Sequence, residues 1–531
     1  MGVESCHNLK KKADLIIFNA KIYSPDSLDS GINCIAVKNG KILLIGTDAE
    51  IRSRYWAPEN INGTGTYVYP GFTDAHAHFT GFALGLRYAD LTKAKSFDEV
   101  LEIVQGYRKQ HPEGWIIGRG WDQNNWPQKV FPDNKLLNKL FPGVPVVLTR
   151  IDGHAVLAND AAIKAAGISE SKKGEAIFRD GKFTGIFLEE MADKIRNAIP
   201  LPSVKEMSDL LIIATKLCNE AGLTAITDAG LNKSEILLID SLQQAGKITL
   251  RIDAWLSPNE ENFDYFMQDK IYQTPFLRVG AIKMYADGAL GSRGACLLGP
   301  YSDDYPNKGI LVTSPEKLSA VCKRAYDHGF QVNTHAIGDS AVRMVLHTYS
   351  QFLKPGNDRR WRIEHAQVVN ENDFDLFGKY NIIPSVQATH ATSDMDWAGQ
   401  RLGKQRVKNA YAYNRLLQQN GWLPNGTDFP IEGIEPIKTF YAAVARKDAN
   451  GKPENGYMME NALSRMDALK SITIWASKAS FTEKERGSIE VGMDADFTIL
   501  NADILKEPEN KLLLTKVLYT IVDGKIVYKA R

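Results

Sequence analysis

Residues 69–78 read YPGFTDAHAH. A Pro-Gly turn is followed by a run with Phe and Thr and then by two histidines two apart, which predicts a strand over 67–78 that ends in polar groups. Side chains at i and i+2 of a strand share a face, so His76 and His78 can reach one ion together. Working outward, the same pattern recurs. Apolar runs that each end in a polar residue lie at 223–228, 250–256, 279–283, 331–335, 362–365, 382–387 and 422–428. Helical patterns separate them. Strands alternating with helices predict a parallel sheet joined by crossovers, and eight such units close a (β/α)8 barrel whose functional side chains gather at the strand C-terminal ends.

Helix signals agree with that alternation. Ser203 with Glu206 makes a capping box before an amphipathic run that stops near Gly222, and Pro315 after Ser314 opens a helix that ends at Gly329. Residues 79–221 are too long for one crossover and are read as an insertion. It carries its own helix after a Ser96/Glu99 capping box and strands near 115–120 and 144–150. Both chain ends look different. Short alternating runs at 14–23, 34–38 and 41–45 turn at Asn39-Gly40, and runs at 489–491, 496–500 and 519–528 turn at Asp523-Gly524. Neither end has strands enough for a stable sheet, so the two are expected to meet in one small β domain. The expected boundaries are 1–69 and 481–531 for that domain and 70–480 for the barrel with its insertion.

Composition narrows the function. Over 531 residues, 64 Lys+Arg against 63 Asp+Glu leave a net charge of +1, which is not the basic balance of a nucleic-acid binder. No apolar stretch reaches the length of a membrane span. Residues 1–12 are polar and lack the apolar core of a signal peptide, so a cytoplasmic protein is expected. A trimmed export or lipid-attachment signal, of which Cys6 would be a remnant, stays open. Five scattered cysteines without a C-x-x-C fit reduced thiols better than a disulfide framework or a thiolate zinc site.

Three more candidates end later strands: His335 in QVNTHAIGD, His365 in RWRIEHAQ and Asp428 in WLPNGTDFP. Any one alone reads as an ordinary hydrogen-bonded residue. Four imidazoles and a carboxylate converging on one barrel mouth make a nitrogen and oxygen site suited to zinc, manganese, iron or nickel. His328 and His347 fall on helices, and His7 and His111 read as surface residues, so these four are left out. Lys283 ends the apolar run RVGAIK. A lysine there snorkels, pairs or loses its charge, and a neutral amine can take up carbon dioxide as a bridging carbamate. From the residue alone, a salt-bridged lysine is the plainer reading. Gly288, Gly291 and Gly294 match no phosphate-binding fingerprint.

These residues, in this order, resemble the amidohydrolase superfamily, and the runs around them are similar to its amidohydrolase 3, or YtcJ-like, branch. The runs are GWDQNNW at 120–126, RIDGHAVLAN at 150–159, KMYADGALGSRGA at 283–295, THAIGD at 334–339, RIEHAQ at 362–367, SVQATH at 385–390 and GSIEVGMDADFTIL at 487–500. The resemblance implies an α/β fold, a distorted TIM (β/α)8 barrel with a small composite β-sandwich domain formed by both termini. It implies one or two divalent ions, zinc being the expected one. His76 and His78 would hold one ion with Asp428 at its edge, His335 and His365 a second, and an N6-carboxylated Lys283 would bridge them. A single ion beside an unmodified Lys283 stays open.

The implied reaction is hydrolysis of a non-peptide C–N bond in a small amide by a metal-activated water, with Asp428 as general acid and base and Lys283 beside it. N-substituted formamides and N-acyl compounds are the expected substrates. Trp121, Asp122 and His154 on the insertion, Arg293 after the glycine-rich loop, and Gln387 and His390 at the seventh strand are the expected substrate contacts. Against this, Asp152-Gly153 reads as a plain turn and Trp121 with Trp126 as insertion packing. The alternatives are a cyclic amide or imide hydrolase, or a non-catalytic regulatory protein on the same barrel. Partners beyond the small molecule are limited to a second copy in a homodimer.

Overall fold

The computed structural model describes the chain apart from residues 1–9, 24–30, 152–153, 169–175, 180 and 269. It divides into two compact units, one of Met1–Phe82 with Leu211–Arg531 and one of Ala83–Leu210. Among the described residues no helix is long and apolar enough to cross a membrane. The four described cysteines are free.

The larger unit is built on a curled parallel sheet, a mixed α/β arrangement. Its strands are β1 (Phe72–Asp74), β2 (Leu223–Leu231), β3 (Arg251–Leu256), β4 (Leu277–Tyr285), β5 (Gln331–Ala336), β6 (Arg362–His365) and β7 (Ile383–Ser385), hydrogen-bonded in that order. Tyr272–Gln273 pairs antiparallel on β4. Register sets the site. Tyr285 of β4 lies opposite His335 of β5, His335 lies opposite Glu364 of β6, and Ala336 lies opposite His365. Barrel interiors are commonly filled by branched apolar side chains. Here Lys283, Asn333, Arg362, Glu364 and Ser385 are fully buried instead, with Trp255 among them.

Two strand expectations need correction. The strand expected over 67–78 breaks at Gly71. Tyr67–Pro70 belongs to another sheet, only Phe72–Asp74 enters the parallel one, and His76 and His78 lie in the bend beyond its end. A Cβ on Gly71 would stand 2.2 Å from the Thr224 hydroxyl, so the crossing between sheets requires glycine there. The strand expected over 422–428 is not formed. Pro424 has no N–H to give a ladder, and Gly426 brings its backbone against His76, where a Cβ would stand 2.4 Å from the His76 nitrogen. The segment still joins both edges of the sheet. Val386 N donates to Pro424 O and Gly426 N to Val386 O (both 3.0 Å), while Asp428 N donates to His76 O (2.8 Å).

Helices flank the strands as expected. α1 (Pro315–His328) opens on Ser314, whose hydroxyl accepts from Lys317 N, and stops at Gly329 with φ 76°. α2 (Asp339–Ser350) follows β5; α3 (Ala388–Ser393) and α4 (Met395–Arg406) follow β7. The chain ends meet as expected. Phe497–Leu500 pairs antiparallel with Tyr67–Pro70, and Asp523-Gly524 turns Val517–Val522 into Lys525–Lys529. Asn39-Gly40 turns a second hairpin. Leu15, Ile17, Val37 and Ile61 share one apolar cluster with Phe497, Ile499 and Ile521. Residues 489–491, expected extended, form no strand.

The smaller unit has its own six-stranded sheet, ordered Ala89–Asp90, Ile116–Trp121, Val146–Arg150, Ala155–Ala158, Lys182–Leu188 and Ala176–Arg179. Its first three strands run parallel and the rest antiparallel. Helix Phe97–Gln110 is capped by Ser96, whose hydroxyl accepts from Glu99 N, which is half of the expected box; the Glu99 carboxylate accepts instead from the residue before the cap, Lys95 N, at 2.8 Å. Separate apolar clusters around Leu148 and Phe187 give the unit a core of its own.

Candidate metal centre

The bend after β1 delivers His76 and His78. The Asp74 carboxylate holds that bend and the facing segment at once, accepting from His76 N (3.1 Å), Thr427 N (3.0 Å) and the Thr427 hydroxyl (2.7 Å). Asp428 sits next, with φ 61°, and His365 at the end of β6 has φ 71°. Left-handed backbone at non-glycine residues costs on the order of 1–3 kcal/mol each, and the cost concentrates at functional sites.

Three imidazoles are oriented by the same device. His76 Nδ1 donates to Glu364 Oε2 (2.6 Å), His78 Nδ1 to the Ala229 carbonyl (3.1 Å) and His365 Nδ1 to Gln387 Oε1 (2.6 Å). An oxygen acceptor on Nδ1 fixes the tautomer and leaves Nε2 with a lone pair, the usual presentation of a metal-ligating histidine. His76 Nε2 and His78 Nε2 lie 3.6 and 3.3 Å from Asp428 Oδ1, which is buried and accepts no hydrogen bond. The ligand atoms of His76, His78 and Asp428 lie within 4.8 Å of one another, as do those of His365, His390 and Asp428. Either trio could hold a divalent ion. Imidazole nitrogens with a carboxylate oxygen form a donor set that suits zinc and its neighbours, so the residues fit the ion.

Electrostatics keep these groups in ligating form. Burial, helped by the Lys283 charge, lowers His76 to about 4 and His335 to about 3, and pulls His365 well below its ordinary value, so all three are neutral at pH 7. Burial opposes ionisation of Glu364, but the Arg362 guanidinium on it (2.7 and 3.1 Å), and then His76, hold its carboxyl at about 2. Asp428 is likewise held well below the carboxylate range against its burial by the surrounding imidazoles. Lys283 is drawn down to about 8 by burial. Its amine stands 3.0 Å from His76 Nε2, and among the described residues it makes no ion pair, unlike the salt-bridged lysine that residue type alone suggests.

The candidates fall into three groups. His78, Lys283, His335, His365, His390 and Asp428 line one cavity of about 370 Å³ with Tyr285, Ala289, Leu290, Gly291, Ile337, Gln367, Asp394, Trp397, Ile431 and Glu432; His76 and Gln387 do not line it but hydrogen-bond to Lys283 and His365, which do. His335 packs its ring 4.6 Å from that of His365, but its Nε2 lies 3.6 Å from Asp287 Oδ1, and it joins neither trio. His390, expected as a substrate contact, joins one.

The remaining candidates have other partners. Arg293 is engaged by Asp303 (3.0 and 3.2 Å) in its own loop and is not among the cavity-lining residues. In the smaller unit Trp121 is buried and donates from its indole to Leu148 O (2.8 Å), Trp126 donates to Ala94 O (3.1 Å), and Asp122 accepts from Arg150 (2.7 Å). His154 is exposed. The turn at Asp152-Gly153, and Cys6 and His7, lie outside the described residues. Glu364, Arg362 and Asp74 were not singled out from sequence. The first two carried a signal: charged residues two apart within an apolar strand share a face and must pair if that face is buried.

The chain is similar to known proteins along most of its length. The chain is 32% identical over 508 residues to the protein described as "Putative amidohydrolase YtcJ" of Bacillus subtilis (strain 168), covering 93% of this chain and 96% of that one. It is 26% identical over 545 residues to the N-substituted formamide deformylase of Arthrobacter pascens, covering 97% and 98%. An uncharacterized metal-dependent hydrolase from Pyrococcus horikoshii OT3 superposes with a TM-score of 0.79 at 28% identity, over 93% of this chain and 99% of that one. The Amidohydro_3 family model, described as the amidohydrolase family, matches residues 59–528, and the chain belongs to that family.

Proposed function

We propose that this amidohydrolase cleaves a non-peptide C–N bond of a small amide. A divalent ion, zinc by its donor set, supplies Lewis acidity and an acidified water when bound. The chain's own groups do the rest. His76, His78 and Asp428 hold one ion, and His365 a second, with His335 or His390. Asp428 takes the proton of the attacking water and hands it to the leaving nitrogen, a contribution of about 10² to 10⁴ in rate. Lys283, buried, without an ion pair and next to an ion, is driven toward the neutral amine that carboxylation needs. Gln387 orients His365 and Glu364 orients His76. Arg293 stays in the proposal as an outer contributor to substrate selection. The terminal hairpins and their shared cluster are read as the composite β-sandwich.

The observation that carries this reading is the convergence of Nε2 atoms, each freed by an oxygen on Nδ1, upon a buried carboxylate oxygen that has no partner. The experiment is release of primary amine from N-substituted formamides and N-acyl amines, and formation of the ring-opened acid from cyclic imides, by zinc-loaded protein and by Asp428→Asn. Turnover of a linear amide, reduced at least about 10²-fold in the variant, is expected. Bound metal without turnover of any amide would overturn the reading, and ring opening alone would move it to cyclic substrates.

A further inference from the structure

The part of the cavity wall that the ion-binding residues do not supply has a charge pattern of its own. Its apolar part is Tyr285, Leu290, Ile337, Trp397 and Ile431. Its charged part is two carboxylates, Asp394 at the start of α4 and Glu432 beyond Asp428. Among the described lining residues there is no arginine, and the only lysine is Lys283 within the ion-binding cluster. Each acid is held by one oxygen and leaves the other open. Asp394 Oδ2 accepts from the Tyr411 hydroxyl (2.8 Å) and from Gln367 Nε2 (3.2 Å), while Oδ1 accepts nothing. Glu432 Oε1 accepts from the Ser393 hydroxyl (2.6 Å), while Oε2 accepts nothing. Neither makes an ion pair with a described residue. Arg401, over Trp397 at 5.6 Å, is already spent on Asp303 and on the Gly291 carbonyl.

Carboxylate-bearing ligands are ordinarily clamped by arginine or lysine, and a like charge facing them is repulsive. This wall offers the opposite. Two half-satisfied carboxylates beside an apolar lining match an ammonium group at the end of a short hydrocarbon stem. We infer that the substrate is an amide whose amine-side arm ends in a protonated amine, an N-acylated diamine in chemical class, with Asp394 and Glu432 as its recognition residues. The inference deepens the hydrolase reading and rests on it for the position of the scissile bond. It also disfavours N-acyl amino acids, which would place a carboxylate against Asp394.

Three ligands that share one amide and one chain length isolate the charge: N-acetyl-1,4-diaminobutane, N-butylacetamide and N-acetyl-4-aminobutanoate. Binding to the zinc-loaded full chain is measured by calorimetry and turnover by amine release, in the wild type, Asp394→Asn and Glu432→Gln. Metal content and melting temperature show that each variant is folded. The cation is expected to bind about tenfold tighter than the neutral amide, with the anion weakest, and either variant should bring the cation close to the neutral amide. Equal binding of all three, no binding of the cation, or a preference unchanged in both variants overturns the inference. Hydrolysis without charge preference leaves the hydrolase reading standing and removes this one; charge-selective binding without hydrolysis of any ligand removes the hydrolase reading and leaves only ammonium recognition by Asp394 and Glu432.

Discussion

Replacing Glu364 by Gln tests how the centre is held. The side chain keeps its volume and loses its charge. In the wild type Glu364 accepts two hydrogen bonds from Arg362 and one from His76, and all three side chains are fully buried. Arg362 keeps the Ala75 carbonyl (2.6 Å) and the Ser385 hydroxyl (2.7 Å), but these do not neutralise it. Removing one member of a buried ion pair costs about 3–5 kcal/mol because the other charge is stranded. With about 2.1 cal/mol/K of unfolding entropy per residue, a unit of roughly 400 residues should lose about 4–6 °C in Tm. His76 would also lose its anionic partner, and partners of that kind are worth about 10–100-fold in metal affinity. Differential scanning calorimetry with zinc competition against a chelator measures both. Replacing Arg362 and Glu364 together by Met should recover most of the stability and none of the zinc affinity, since a buried pair exchanged for apolar volume is often close to neutral. A Glu364→Gln protein that melts and binds zinc as the wild type does would refute the reasoning.

Two further outcomes follow from the same contacts. Asp74→Ala frees Thr427 and the His76 amide together, so zinc affinity should fall by about tenfold or more with little change in circular dichroism; unchanged affinity would mean that Asp74 does not position the ligands. Burial alone would raise the Asp496 carboxyl, but the Arg251 guanidinium on it (2.6 and 3.1 Å) overrides that and holds it below its ordinary 3.8. A depressed carboxyl stabilises above its unfolded value and loses that stabilisation as pH falls through the folded one. Asp496→Asn should therefore cost about 2–3 kcal/mol at pH 7, and the gap to wild type should close only below about pH 4. A gap that closes as pH rises would reverse the sign.

Much of this was legible in the chain, for local reasons. The limits of β6 and of α1 follow from a short apolar run and from Ser314, Pro315 and Gly329, signals that sit within a few residues of what they control. Asn39-Gly40 and Asp523-Gly524 fix their hairpins in the same way. The broken strand at Gly71 and the irregular 422–428 were not legible, because both answer to close approaches by distant chain: Thr224 in one case, His76 in the other. The site divides likewise. His76, His78, His365 and Asp428 could be picked because imidazoles at strand ends are unusual in any sequence. Asp74 could not, because a lone carboxylate acquires its meaning from a partner such as Thr427, brought to it only by folding; Glu364 could be read as the partner of Arg362, but its contact with His76 could not, for the same reason. Which of His335 and His390 stands with His365 turns on folded geometry that spacing does not encode.

The central claim is that His76, His78 and Asp428 bind a divalent ion between them. Anomalous diffraction at the zinc edge from crystals of the zinc-loaded protein tests it most directly. A peak is expected about 2.0–2.2 Å from Nε2 of both histidines and from an Asp428 oxygen. No peak there at full zinc loading, or a peak held only by residues outside the cavity, would contradict it.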